Sequence, residues 1–191
     1  MSVLKFAAVF SQKTGLPPLD GYGEHRIFTA SADATQHLPF ATLVLGSSPS
    51  LLQLGDEADA GLYLVSERTM LNQPLSALGE DQLPGCVGIF PMIANPKIGP
   101  AAADNHWHQN HAPLALNVHL TMTHYYQLQV VHRFSGPDWN GLALCCCNSE
   151  SDLRERFYGS DEGKRQIGED IVKFADTKNS PRRVIATVQR G

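Results

Sequence analysis

The sequence lacks the short motifs on which the commonest cofactor and nucleophile chemistries depend. It contains no G-x-G-x-x-G, no Walker loop, no G-x-S-x-G and no H-E-x-x-H, so dinucleotide, phosphate-loop, serine-hydrolase and zinc-protease readings have no support. No C-x-x-C pair is present, and adjacent cysteines such as 145–147 cannot bridge one another, which argues against structural zinc and against a disulfide framework. We therefore expect neither a metal nor a cofactor.

Charge and long apolar runs are also scarce. Charged residues make up 18% of the 191-residue chain, the net charge is −4, and Lys and Arg form no cluster, so we expect no nucleic-acid partner. The longest apolar runs, such as residues 87–94, are too short to span a bilayer. Residues 1–10 lack the separate regions of a signal peptide. We expect a globular protein of the cytoplasm, where four unbridged cysteines would stay reduced.

Histidine, by contrast, is concentrated in one stretch of the chain. Residues 104–133 hold six of the eight histidines and one of the two tryptophans, a density that indicates acid/base chemistry or metal binding. His108 and His111 are neighbours on a helix, but no third ligand lies at a suitable spacing, so we expect no metal site. For His108, His119 and His124 an ordinary packing role is the expectation. His111 precedes a proline that should perturb the helix, and it is our candidate.

The second half of the chain predicts the element order βαββαβ of a ferredoxin-like unit. Apolar and β-branched runs predict strands over residues 86–94, 124–134, 142–147 and 184–188. Asp104 is expected to cap a helix that carries His106, Trp107 and His111, with Pro113 bending or restarting it. Ser149 is expected to cap a later helix, whose apolar face breaks near residues 159–163 into two pieces.

The first half predicts the same order with its first helix reduced to a loop. Strands are expected over residues 3–10, 25–30, 40–45 and 61–65, with a short helix over 50–54. We place the boundary at Pro84-Gly85, which gives domains 1–84 and 85–191. The predicted fold is α+β, with two ferredoxin-like units, the N-terminal one degenerate, forming an α/β barrel.

Two such sheets must cover each other's bare faces, and we expect a ligand cavity between them. We favour closure within one chain. The alternative is that C-terminal halves pair across a two-fold axis, with the N-terminal half as an added layer.

The strand around Tyr126 has two distinct faces. Its even positions have an apolar middle, which should pack beneath the helices. Its odd positions carry Tyr125, Gln127, Gln129 and Arg133, and this polar row should face the cavity between the sheets. A row exposed to solvent would give the same pattern.

The segments HWHQNHAPLAL, YYQLQ, GLALCCCNSESDLRERF and GEDIVKFAD resemble the EthD-domain family of dimeric α/β-barrel proteins. The resemblance covers roughly residues 84–190. The positions that match the family's pattern are His106, Trp107, His111, Pro113, Leu114, Tyr125, Gln127, Asp170 and Phe174. Where the family often has a second strand histidine, this chain has Gln129.

The resemblance implies a lyase or isomerase that works without metal or nucleotide cofactor. Cyclases, dehydratases, isomerases and decarboxylases of this superfamily suggest a small aromatic, polyketide-like or lactone carbonyl substrate. His111 would be the general base or acid and Tyr125 the partner donor, with His106 as a second acid/base. Trp107, Gln127 and Gln129 would bind the substrate. A homodimer is the assembly that single-unit relatives form.

Two alternatives remain open from the sequence. The protein could be a non-catalytic binder of a small hydrophobic metabolite, which needs the same cavity but no titrating histidine. It could instead bind haem, which would need an axial histidine on the cavity side.

Overall fold

The strands of this protein form a closed antiparallel barrel. A computed structural model describes residues 2–31, 37–73 and 86–190, and the order around the barrel in this part of the chain is β1-β3-β2-β8-β5-β7-β6-β4, with β4 returning to β1. The strands are β1 Ser2–Phe10, β2 His25–Ala30, β3 Thr42–Gly46, β4 Gly61–Asn72, β5 Cys86–Met92, β6 Met122–Ser135, β7 Gly141–Cys147 and β8 Val184–Arg190. All the predicted strands are present, and β4 is longer than predicted.

Helices lie on the outside of the barrel. They are a 3₁₀ helix Pro49–Gly55, α1 Gly99–His106, a π-helical turn Trp107–His111, α2 Ala112–Val118, α3 Glu150–Glu155 and α4 Asp161–Phe174. The hydroxyl of Ser149 caps α3 by accepting from the Asp152 N–H at 3.1 Å, as predicted. Ser160 caps α4, so the expected two helical pieces are confirmed. In the described ranges no helix has the length and apolarity needed to cross a membrane.

The barrel closes within one chain, as we expected. Pairing of β4 with β6 and of β2 with β8 joins the first four strands to the last four. The predicted domain boundary at residues 84 and 85 lies outside the described residues.

The interior of the barrel is a packed core. Alternate residues of all eight strands point inward, among them Val9, Phe28, Leu43, Val65, Ile89, Leu128, Leu144 and Ala186. The ring of Trp139 joins this core, stacked on Tyr63 at 5.7 Å between ring centroids. The prediction of a ligand cavity between two sheets is therefore wrong, because side chains fill an eight-stranded barrel of this size.

The faces of β6 are also the reverse of our prediction. Tyr126 and Leu128 point into the barrel, whereas Tyr125 packs against the helices and Gln127 bonds to the helix backbone. The apolar row belongs inside because the closed interior offers few polar partners. The helix layer supplies those partners to the polar row. Alternation shows that two faces differ, but it does not say which of them is the interior.

Candidate functional site

The helix that carries Trp107 and His111 contains one π-helical turn. Pro113 lies in the first turn of α2, where it has no N–H to continue the α-helical ladder, and the Ala112 N–H donates to the carbonyl of Trp107, five residues back. This is the helix perturbation expected at Pro113. Trp107 and His111 both lie on the buried side of the turn. π turns of this kind are frequent at functional sites.

Asp170 of α4 joins two of the predicted histidines. Its Oδ1 lies 2.9 Å from His106 Nε2, and its Oδ2 lies 2.9 Å from His111 Nδ1. Lys173, one turn along α4, adds a weaker contact to Oδ1 at 3.3 Å. The ring of Phe174 packs against both imidazoles, with centroids 5.5 Å from His106 and 4.8 Å from His111. Two helices are thereby fixed against each other at the site.

The charge state of this cluster fixes the tautomer of His111. Burial alone would raise the pKa of Asp170, but hydrogen bonds from His106, His111 and Lys173 hold it below its usual value. An ionised carboxylate only accepts, so the ring nitrogens that contact it must donate. Burial lowers the pKa of His111 by more than Asp170 raises it. The imidazole is therefore neutral near pH 7, with its proton on Nδ1 and its lone pair on Nε2.

Tyr125 of β6 presents an oriented hydroxyl group. Its oxygen accepts hydrogen bonds from Trp107 Nε1 and from Gln127 Nε2, both at 3.1 Å. Gln127 Nε2 also donates to the carbonyl of Trp107 at 3.0 Å, which fixes the orientation of the amide. Burial raises the pKa of Tyr125, so the phenol stays protonated. Since its oxygen already accepts twice, its own O–H lacks an acceptor within the described residues and is free to donate to a ligand.

Arg68 links the N-terminal half of the chain to this site. Its guanidinium forms an ion pair with Asp104 and lies 5.8 Å from the ring centroid of Trp107. The prediction that Asp104 caps the helix is wrong. α1 begins at Gly99, with Pro100 in its first turn, and Asp104 lies within the helix. Its carboxylate is used instead to hold Arg68 beside Trp107.

A cavity of about 240 Å³ lies between the outer face of the sheet and the helices. An engineered cavity of roughly 150 Å³ binds benzene, so this one has room for a molecule of about two rings. Apolar side chains form most of its wall, among them Met92, Ala115, Phe157, Ile167, Ile171 and Phe174. The polar side chains that also line it include His111, His119, Tyr125, Tyr158, Thr177 and Ser180.

The predicted site residues divide into two groups. His111, Trp107 and Tyr125 line the cavity. The other three do not appear on its wall. Gln127 is fully buried behind Tyr125, His106 holds the far oxygen of Asp170, and Gln129 is half-buried further along β6.

Two residues of the site were missed or undervalued by the sequence reasoning. Asp170 came only from the family resemblance, because no local spacing links residues 111 and 170. His119 was given a packing role, and it lines the cavity as well. In the described part of the chain no three His, Cys, Asp or Glu side chains are grouped to hold a metal ion.

Fold and site together define an α/β-barrel protein with a closed apolar core and a His–Asp pair on the wall of an outer, ligand-sized cavity. Residues 95–178 match the sequence model of the family described as EthD domain. This match confirms the predicted resemblance to the EthD-domain family over these residues, and His106, His111, Tyr125 and Asp170 all lie within the matched segment.

Other comparisons bear on the fold alone. A solved structure described as "Crystal structure study of anthrone oxidase-like protein" superposes with a TM-score of 0.55 and 11% identity, over 98% of this chain and 92% of that chain. Identity this low supports the barrel architecture and no more. No curated protein matches the sequence.

Proposed function

We propose that the protein is a cofactor-independent acid/base enzyme that acts on a small aromatic or lactone-like carbonyl compound. The observation that carries this proposal is the hydrogen bond of 2.9 Å between His111 Nδ1 and Asp170 Oδ2, on the wall of a cavity that Tyr125 also lines. A histidine held by a carboxylate is a general base with a fixed tautomer. A buried phenol is a hydrogen-bond donor to a carbonyl oxygen.

The proposed reaction begins with removal of a proton next to the carbonyl. His111 Nε2 has no hydrogen-bond partner among the described residues, and the imidazole that carries it lines the cavity. It takes the proton, and Asp170 stabilises the imidazolium that forms. The Tyr125 O–H donates to the substrate oxygen as negative charge develops there. Return of the proton at another carbon would be an isomerisation, and loss of a β-hydroxyl would be a dehydration.

His106 and Gln127 have supporting roles in this proposal. His106 donates to the second oxygen of Asp170 and so keeps the carboxylate aimed at His111. Gln127 Nε2 donates a hydrogen bond to the Tyr125 hydroxyl oxygen and so orients this group. Both effects reach the substrate through another residue, so we assign His106 and Gln127 to positioning. We assign no contact to Gln129.

The test is exchange of an acidic C–H in a two-ring ketone. 2-Tetralone would be incubated with the protein in D₂O, and loss of its C1 proton signal would be followed by NMR against a buffer background. General base catalysis contributes about 10²–10⁴-fold, so His111→Ala should slow the exchange by at least about 100-fold. His132→Ala, on the exposed end of β6, is the control and should keep the rate. A folded His111→Ala protein that loses less than about 5-fold would refute the role of His111.

The alternative from a different class is a non-catalytic binder of a small hydrophobic metabolite. The mainly apolar wall of the cavity supports it equally well. A binder would take up 2-tetralone and change its fluorescence or NMR signals, but it would leave the C1 protons in place. Binding without exchange above the buffer rate would therefore favour this alternative.

The description of the solved structure favours one second candidate reaction. An anthrone is a flat ketone of three fused rings with an acidic CH₂ opposite its carbonyl, so its third ring would have to project from a cavity with room for about two. We infer that His111 could remove a proton from such a ketone, and that the carbanion could then react with dioxygen to give a quinone and water. Oxygen uptake with anthrone that disappears in His111→Ala would support this reaction, and equal uptake by both proteins would exclude it.

We also propose that the barrel consists of two ferredoxin-like units. Its support is that the strand orders β4-β1-β3-β2 and β8-β5-β7-β6 are the same permutation of four consecutive strands. In the residues of the first unit that the structure describes, one 3₁₀ helix lies outside the strands. Because closure needs no second chain, a homodimer would form through another surface and stays a prediction, as does the cytoplasmic location.

A further inference from the structure

His119 occupies a place in the cavity that the proposed reaction does not use. It follows α2 and is 6% exposed. Its ring stacks on Phe157, with 3.9 Å between centroids, and it also lines the cavity. A purely packing histidine would have both nitrogens paired or sealed off.

The protonation of His119 follows from its partner. Its Nδ1 lies 2.9 Å from the carbonyl oxygen of Phe157, which can only accept, so Nδ1 carries the proton. Burial lowers the pKa of His119 to about 4, which keeps the ring neutral near pH 7. Nε2 then holds the lone pair. It has no hydrogen-bond partner in the described part of the chain, and the ring that carries it lines the cavity.

His119 and His111 mark different positions along the cavity. They are eight residues apart on a mostly helical segment, and at about 1.5 Å per residue this places their Cα atoms about 12 Å apart. Ala115 and Phe157 are among the apolar residues of the same cavity wall. The cavity thus offers the Tyr125 donor near His111 and a second, neutral acceptor further along.

We propose that His119 is a specificity-determining residue that accepts a hydrogen bond from a hydroxyl group of the substrate, and that the substrate is a fused two-ring ketone with this hydroxyl on the ring remote from its carbonyl. The inference rests on the proposed function, which orients the substrate carbonyl towards Tyr125. It adds that the substrate carries a second polar group, a hydroxyl that donates a hydrogen bond to His119. A ligand without that hydroxyl would leave a buried acceptor unpaired.

The test compares two ketones that differ by one hydroxyl, 2-tetralone and 6-hydroxy-2-tetralone. Dissociation constants would be measured by calorimetry, without turnover. The wild-type protein should bind the hydroxylated ketone about 10-fold more tightly, which is the upper range for one hydrogen bond to a neutral group. His119→Phe keeps an aromatic ring against Phe157 and removes Nε2, so it should bind both ketones equally.

Two further variants serve as controls. His119→Gln offers an amide oxygen near the position of Nε2 and should keep part of the preference for the hydroxylated ketone. It also tests the inference if the His119→Phe protein does not fold. His132→Phe should keep the full preference. In ¹⁵N NMR of histidine-labelled protein, the Nε2 signal of His119 should shift when 6-hydroxy-2-tetralone binds. It should not shift when 2-tetralone binds.

Three outcomes would overturn the inference. They are equal binding of the two ketones to the wild-type protein, an unchanged preference in His119→Phe, and no binding of either ketone. The proposed function fails separately. If 2-tetralone exchange does not depend on His111 while the hydroxyl preference depends on His119, the function is wrong and this inference stands.

Discussion

The Nδ1 atom of His111 lies 2.9 Å from the Oδ2 atom of Asp170, across 59 residues of sequence. This contact ties the π-helical turn to α4 and determines which nitrogen of the imidazole is protonated. The π turn places His111 on the buried side of its helix, and α4 brings the carboxylate to it. The proposed reaction depends on this pair more than on any other contact.

Removal of the Tyr125 hydroxyl should affect both catalysis and stability. In Tyr125→Phe the indole N–H of Trp107 loses its acceptor and one bond of the Gln127 amide is lost, so we expect unfolding to become easier by about 1–3 kcal/mol. The exchange of 2-tetralone should slow by about 10- to 100-fold, because the enolate loses its donor. Urea unfolding and the NMR exchange assay measure the two effects. Tyr22→Phe, in the N-terminal half, is the control, and an exchange rate in Tyr125→Phe equal to that of the wild type would contradict the role of the phenol.

The Arg68–Asp104 pair should couple the two halves of the chain. Both side chains are mostly buried, with 14% and 20% exposed, so Arg68→Met leaves a carboxylate without its partner and should destabilise the fold by about 2 kcal/mol. Asp104→Asn should then cost much less in the Arg68→Met protein than in the wild type. A double-mutant cycle by urea unfolding measures this coupling. Costs that simply add would show that Arg68 and Asp104 do not stabilise each other.

His119 should make stability depend on pH between about 6.5 and 4. Its pKa is 6.5 in the unfolded chain and about 4 in the folded protein, because burial disfavours the charged ring. The folded-state value is the lower one, so the stabilisation is complete above pH 6.5 and is lost as the pH falls towards 4. The loss should reach about 3 kcal/mol.

Urea unfolding at pH 7.5 and pH 4 measures this effect. The difference between the two pH values should be smaller by that amount in His119→Phe, and unchanged in His132→Phe. Asp170 titrates mainly below this window, since its folded pKa lies under 3.8. An equal pH dependence of His119→Phe and wild type would show that His119 is not buried as a neutral ring.

The elements of the fold were largely predictable, because each depends on local sequence. Strand periodicity, the Ser149 cap and the break before α4 are all visible within a few residues. The start of α1 could not be predicted, because Asp104 belongs to a residue type that often caps helices. Only its ion pair with Arg68 shows why it lies inside the helix. Which row of β6 faces inward was equally hidden, since it depends on closure of the barrel by distant strands.

The site was predictable in part for the same reason. His111 and Trp107 share a helix, and Tyr125 lies on the next strand, so the sequence places them close together. Asp170 lies on α4, and no pattern near His111 points to it. His119 looked like a packing residue because the open Nε2 atom depends on where the cavity runs, which is a property of the packed helices.

The most direct test of the account is the pH dependence of 2-tetralone exchange in the wild type and in Asp170→Asn. His111 acts as a base only when neutral, and burial lowers its pKa. The wild-type rate should therefore be flat above pH 6.5 and fall at lower pH. Asp170→Asn removes the group that raises this pKa and fixes the tautomer. Its plateau should drop by at least about 100-fold, and any remaining inflection should move to lower pH.

Glu169→Gln, on the exposed side of α4, should behave as the wild type does. An Asp170→Asn protein that folds and keeps both the plateau and the inflection of the wild type would contradict the claim that the His111–Asp170 pair is the catalytic base.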